Sequence, residues 1–119
     1  MARYARLHYP GGIFHVVARC LNRESLIGDP RDRERYLALL GRALGRCDAK
    51  VLAYCLMSNH VHVVVRAGSD SLERLFKPVH TGYALWKNSR EGRIGPVFAG
   101  RFKSPLVDGD NIDMVVVRE

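Results

Sequence analysis

The sequence is poor in thiols, poor in acid and has no long apolar run, and each shortage excludes something. Its three cysteines, Cys20, Cys47 and Cys55, are odd in number and far apart. No CxxC pair occurs, which argues against a zinc–cysteine site or a disulfide framework. Three thiols at core-type positions fit a reducing cytoplasm. No stretch approaches eighteen apolar residues, and the opening "MARYARLHYPGG" has no apolar h-region. Neither a signal peptide nor a membrane span is expected. Asp and Glu total 12 against 19 Lys and Arg, a net charge of +7. That balance favours a polyanionic partner, nucleic acid being the commonest, although a merely solvated basic surface gives the same count. No repeat or low-complexity segment interrupts the chain. Its 119 residues, 47% of them hydrophobic, suit one compact domain spanning 1–119.

"GGIFHVVARC" (11–20) opens on a glycine pair and continues with β-branched and aromatic residues, the pattern of a strand. "LNRESLIGDP" (21–30) reads as a loop whose Asp29 caps a helix with Pro30 in its first turn. Over 31–50 Tyr36, Leu37, Leu40, Ala43, Leu44 and Cys47 recur at helical steps, with Arg33, Arg35, Arg42 and Arg46 largely elsewhere. The apolar runs 51–57 and 60–67, split by Ser58-Asn59, predict a hairpin. A second helix is expected over 69–92, capped by Asp70 or Ser71. Its stripe is Leu72, Leu75, Phe76, Val79, Tyr83 and Trp86, and Pro78 should kink it or mark its true start. "RFKSPLVD" (101–108) predicts an edge strand, given Pro105, and 109–119 begins a last helix. The order β-α-β-β-α-β is the ferredoxin-like one: α+β, with a four-stranded antiparallel sheet and helices on one face.

"YCLMSNHVHVVVR" (54–66) places two histidines inside an apolar run. Side chains two apart on a strand share a face, so His60 and His62 project together and Val61 and Val63 point the other way. Two such imidazoles can fill adjacent positions on one metal ion; a pair of half-exposed strand histidines is the plainer alternative. A histidine-triad hydrolase needs a third alternating histidine where Val64 stands. A two-histidine phosphoesterase needs two separated His-x-Ser/Thr motifs, which these residues do not form.

"AYCLMSNHVHVVV", followed after a helix by "GRIGPVFAGRFKSPLVDGDN", resembles the single-tyrosine transposases of the IS200 type. The likeness is greatest to the branch associated with repetitive extragenic palindromes, and "GGIFHVVARCLNRE" fits that family's first strand. The resemblance implies that His60 and His62 bind Mg²⁺ or Mn²⁺, which polarises a scissile phosphate in single-stranded DNA. A tyrosine on the last helix then attacks, giving a 5′-phosphotyrosine link and a free 3′-hydroxyl. Phe98, Gly100, Arg101, Phe102 and Lys103 match the family's F-x-G-R-[FY]-K, and Arg118 matches the arginine before its tyrosine. Glu119 stands where that tyrosine is expected, so the last helix is expected to be truncated and no catalytic tyrosine is visible. Tyr36 and Tyr83 lie on apolar helix stripes, and Tyr4, Tyr9 and Tyr54 lie in or before strands; none is a strong substitute.

Lys87, Arg90, Arg93, Arg101 and Lys103 fall within seventeen residues, against the single acid Glu91. They are the expected contacts to a DNA backbone. Trp86 and Phe98 flank them as candidate stacking platforms, with a core position the alternative for Trp86. Asn59 beside the histidine pair is either a second contact to phosphate or histidine, or simply a turn residue. The leading expectation is a transposition protein of the cytoplasm and nucleoid that binds single-stranded or hairpin DNA, with a homodimer possible. A non-catalytic nucleic-acid-binding remnant and a small metal-dependent phosphoesterase are the alternatives.

Overall fold

The computed structural model describes residues 9–107. Strand β1 (Ile13–Arg19) is followed by a short 3₁₀ turn (Leu21–Arg23), helix α1 (Pro30–Leu44), strands β2 (Ala49–Leu56) and β3 (His60–Ala67), helix α2 (Leu72–Glu91) and strand β4 (Leu106–Val107). The sheet order is β2-β3-β1-β4, with every neighbouring pair antiparallel. Each half is a split β-α-β unit, with one strand of the other half inserted between its own two. The α+β ferredoxin-like expectation is met. The expected last helix, with Arg118 and Glu119, lies outside the described residues.

Alternation decides which face of the sheet is covered. Phe14, Val16 and Ala18 of β1 and Val61, Val63, Val65 and Ala67 of β3 are buried under the helices. Tyr36, Leu40 and Ala43 of α1 and Leu72, Leu75, Phe76, Val79 and Tyr83 of α2 close the same core. The alternate residues of β1 and β3 form the opposite face, which neither helix covers; most are partly exposed, and Val64 among them is buried.

Helix ends follow local chemistry. Asp29 caps α1 by accepting from the amides of Arg31 and Asp32, and the Asp32 carboxylate returns a bond to the Asp29 amide. That is a capping box with Pro30 in the first turn. α1 stops at Leu44, short of the predicted 50, because Ala49 and Lys50 join β2. Ser71 caps α2 by accepting from the Arg74 amide, and Gly92 ends it at φ 65°. Pro78 lies inside α2 and does not mark its start. The fourth strand is shorter than predicted. Among the described residues Leu106 and Val107 pair with β1, and a single bridge joins Lys103 to Val17.

Candidate metal and nucleic-acid site

The register gathers the site on the open face. Within the β1–β3 ladder Arg19 lies opposite His60, Val17 opposite His62, His15 opposite Val64 and Ile13 opposite Arg66. In the β2–β3 ladder Cys55 lies opposite His62 and Lys50 opposite Arg66. Directly opposed residues share a face, so three histidines and three cations, Arg19, Lys50 and Arg66, stand together. The 23 residues of β1, β2 and β3 include no Asp or Glu. Lys103, bridged to Val17 and exposed, extends the same basic face at the β1 edge.

His60 and His62 meet edge to face, with ring centroids 4.6 Å apart. His60 Nδ1 lies 2.6 Å from Asn59 Oδ1. His62 Nδ1 lies 2.8 Å from His15 Nε2, and those two rings stack at 5.0 Å. Burial, reinforced by the positive fields of His60, His15 and Arg19, lowers the His62 pKa to about 4. His62 is therefore neutral at pH 7, the form in which an imidazole ligates a metal. Among the described residues no group of three or more His, Cys, Asp or Glu side chains could hold a metal ion.

The turn before His60 is anchored from outside the hairpin. The Ser58 carbonyl accepts from the amides of Leu26 (2.6 Å) and Ile27 (3.1 Å), and the Asn59 carbonyl accepts from Cys20 (2.9 Å). Asn59 thus serves the turn and touches His60 as well. The loop that anchors it carries Asn22 and Arg23 at φ 58° and 57°, a left-handed pair that costs a residue such as arginine about 1 kcal/mol.

The expected DNA contacts fall in different places. Lys87 is 2% exposed and sits between Asp32 (3.1 Å) and Glu91 (2.7 Å). Burial pulls its pKa down, but the bonds to Glu91 and Asp32 outweigh it and raise the pKa. Arg90 grips Asp29 and Asp32 at the head of α1. Its hydrogen bond holds the Asp29 carboxyl well below the usual carboxylate range. Arg93 pairs with Glu24 (2.6 Å) and Arg101 with Glu73. Trp86 is partly buried, with the Arg35 and Arg90 guanidiniums 5.3 and 5.4 Å from its ring centroid. Of the five clustered cations, Lys103 alone lies on the histidine face. His15, Arg19, Lys50 and Arg66 belong to no sequence motif, and the absence of acid from the three strands is the signal that marks them.

Tyr36 and Tyr83 are fully buried. Tyr36 Oη lies 2.9 Å from His80 Nε2, and Tyr83 Oη donates to the Leu26 carbonyl at 2.5 Å. Burial raises both phenol pKa values. Tyr54 lies opposite Val63 and so belongs to the helix face. Tyr9 precedes Ile13, at the end of β1 remote from Arg19 and His60.

Among the described residues, the helices cover one face of the antiparallel sheet and the histidine pair lies on the other, where the strands carry no acid. The solved REP-associated tyrosine transposase bound to a REP hairpin superposes with a TM-score of 0.77 at 14% identity, covering 98% of this chain and 68% of the other. A candidate transposase from Deinococcus radiodurans superposes with a TM-score of 0.67 at 12% identity, covering 96% and 92%. The chain belongs to the IS200-like transposase family, whose profile matches residues 9–116. A comparison with curated proteins finds no match.

Proposed function

We propose that this transposition protein binds single-stranded or hairpin DNA on the open face of its sheet, next to a divalent cation held by His60 and His62. The observation that carries the reading is the register. It sets both histidines, Arg19, Lys50 and Arg66 on one acid-free face. The hairpin bound by the structurally similar REP-associated transposase favours DNA of that form. Arg19, Lys50, Arg66 and Lys103 attract and orient the phosphate backbone, a contribution that weakens with salt.

The pair fits a cation in part. The two adjacent imidazoles offer ligand positions, and Asn59 holds His60 by its Nδ1. Mg²⁺ or Mn²⁺ prefers oxygen beside two nitrogens, and the DNA phosphate can supply it. When bound, such an ion acts as a Lewis acid on that phosphate. Arg19 flanks His60 across the ladder and bears on the same phosphate. Tyr36 and Tyr83, enclosed and hydrogen-bonded, do not act as nucleophiles, and Tyr54 belongs to the other face. A nucleophile for phosphotyrosine chemistry therefore comes from outside these residues.

The test is binding of a labelled hairpin with a single-stranded tail, measured by anisotropy across a salt series. Arg19→Ala and Arg66→Ala should each lower the slope of log K against log salt by about 1. Unchanged slopes in both variants would refute the assignment of this face. A non-catalytic binding module on the same face is a second reading, favoured by Tyr36 and Tyr83 being fully buried and hydrogen-bonded. A hairpin gel shift strengthened by Mn²⁺ in wild type but not in His60→Ala selects the first reading; a shift indifferent to Mn²⁺ selects the second.

A further inference from the structure

His15 Nε2 and His62 Nδ1 are 2.8 Å apart, so one proton lies between them. If His62 donates it, His62 Nε2 is left with a lone pair. If His15 donates it, His62 Nε2 carries a hydrogen and cannot ligate. On the neighbouring ring the choice is already made. An amide oxygen only accepts, so His60 Nδ1 donates to Asn59 Oδ1 and His60 Nε2 keeps its lone pair.

We propose that His15 is a positioning residue that accepts the His62 Nδ1–H, locking His62 in the tautomer whose Nε2 keeps its lone pair. This deepens the cation reading above and rests on it. The geometry supports the role in two ways. The two residues are diagonal neighbours across β1 and β3, since His15 faces Val64 and His62 faces Val17. Their rings stack at 5.0 Å with 23° between planes, which fixes the orientation of His62 as well as its tautomer. His15 and Asn59 then play the same part for the two imidazoles, one from the adjacent strand and one from the turn. Partners of this kind, which orient a ligand without touching the metal, typically change affinity by about 10- to 100-fold when removed.

The experiment uses the full chain, with Mn²⁺ as the probe. Long-range ¹⁵N–¹H spectra of the metal-free protein report the His62 tautomer directly, and titration calorimetry reports Mn²⁺ affinity. Wild type should show His62 protonated on Nδ1. His15→Phe keeps a stacking ring but removes the acceptor; it should shift His62 towards the Nε2–H form and weaken Mn²⁺ binding by about 10- to 100-fold. His15→Gln places an amide oxygen where Nε2 was and should restore both. A wild-type His62 protonated on Nε2, or a His15→Phe variant with an unchanged tautomer, overturns the proposal. Equal Mn²⁺ affinity in wild type and His60→Ala would instead defeat the cation reading, while the metal-free spectra still decide the role of His15.

Discussion

Replacing Asp32 by alanine tests the charged layer that ties the two helices together. Asp32 is 1% exposed. Its Oδ2 accepts from the Gly28 amide at 2.7 Å, the Asp29 amide at 3.3 Å and Lys87 Nζ at 3.1 Å, and its Oδ1 takes Arg90 Nη1 at 2.5 Å. The substitution removes the return half of the capping box and leaves a buried ammonium with Glu91 as its partner. Breaking a buried pair costs about 3–5 kcal/mol. The lower end applies, because Glu91 still serves Lys87 and Asp29 still serves Arg90. Loss of the return half of the capping box adds up to about 1 kcal/mol, so the expected loss is about 4 kcal/mol. For a domain of this size that lowers Tm by about 15 °C. Urea denaturation followed by circular dichroism measures it. Adding Lys87→Met should recover part of the loss, since the stranded charge goes with it. A single variant that loses less than about 1 kcal/mol, or a double variant whose losses simply add, would refute the reasoning.

Acid should destabilise the fold through His80, which packs against Phe76 and Phe98 and whose pKa burial lowers to about 4. Below an unfolded pKa of about 6.5 the unfolded chain takes up a proton that the folded one refuses. His80 therefore lowers stability between about pH 6.5 and 4, by up to about 3 kcal/mol; His80→Phe should shrink that limb in urea melts at stepped pH, leaving the share from His62, whose pKa is also lowered to about 4. A Cβ on Gly68 would run into the Asp48 carbonyl, so Gly68→Ala should cost about 1–3 kcal/mol, read as a lower urea midpoint. Arg23, at φ 57°, should accept glycine with a gain of up to about 1 kcal/mol. A loss of stability there would show that its side chain matters more than its backbone.

The strands and their order were legible because alternation and turn chemistry are local. His60 and His62 were assigned one face from a spacing of two, which needs no partner strand. His15 was not legible as their neighbour, because it meets His62 across 47 positions and only the β1–β3 register brings them together. Lys87 was within reach of the pattern. It lies four residues after Tyr83, on the continuation of the buried stripe of α2, and Asp32 stands four before Tyr36 on α1. A charge at a stripe position on each of two packed helices signals an internal ion pair. Counting cations along the chain instead mixes such residues with those the sheet exposes.

The central pairing has a consequence for how the molecule assembles. β2 and β3 are joined by a two-residue turn and can zip as soon as the chain leaves that corner. β1 must close a loop of about forty residues before Arg19 meets His60, an entropic toll that delays long-range pairing. The hairpin is therefore an early unit and β1 a late arrival. Until β1 docks, His62 has no His15 beside it and the turn at Asn59 lacks the Cys20 amide that braces it. The histidine cluster comes into being only once β1 has joined the hairpin. A ligand that selects the cluster distinguishes the finished fold from its precursors, and it holds β1 in place once it binds.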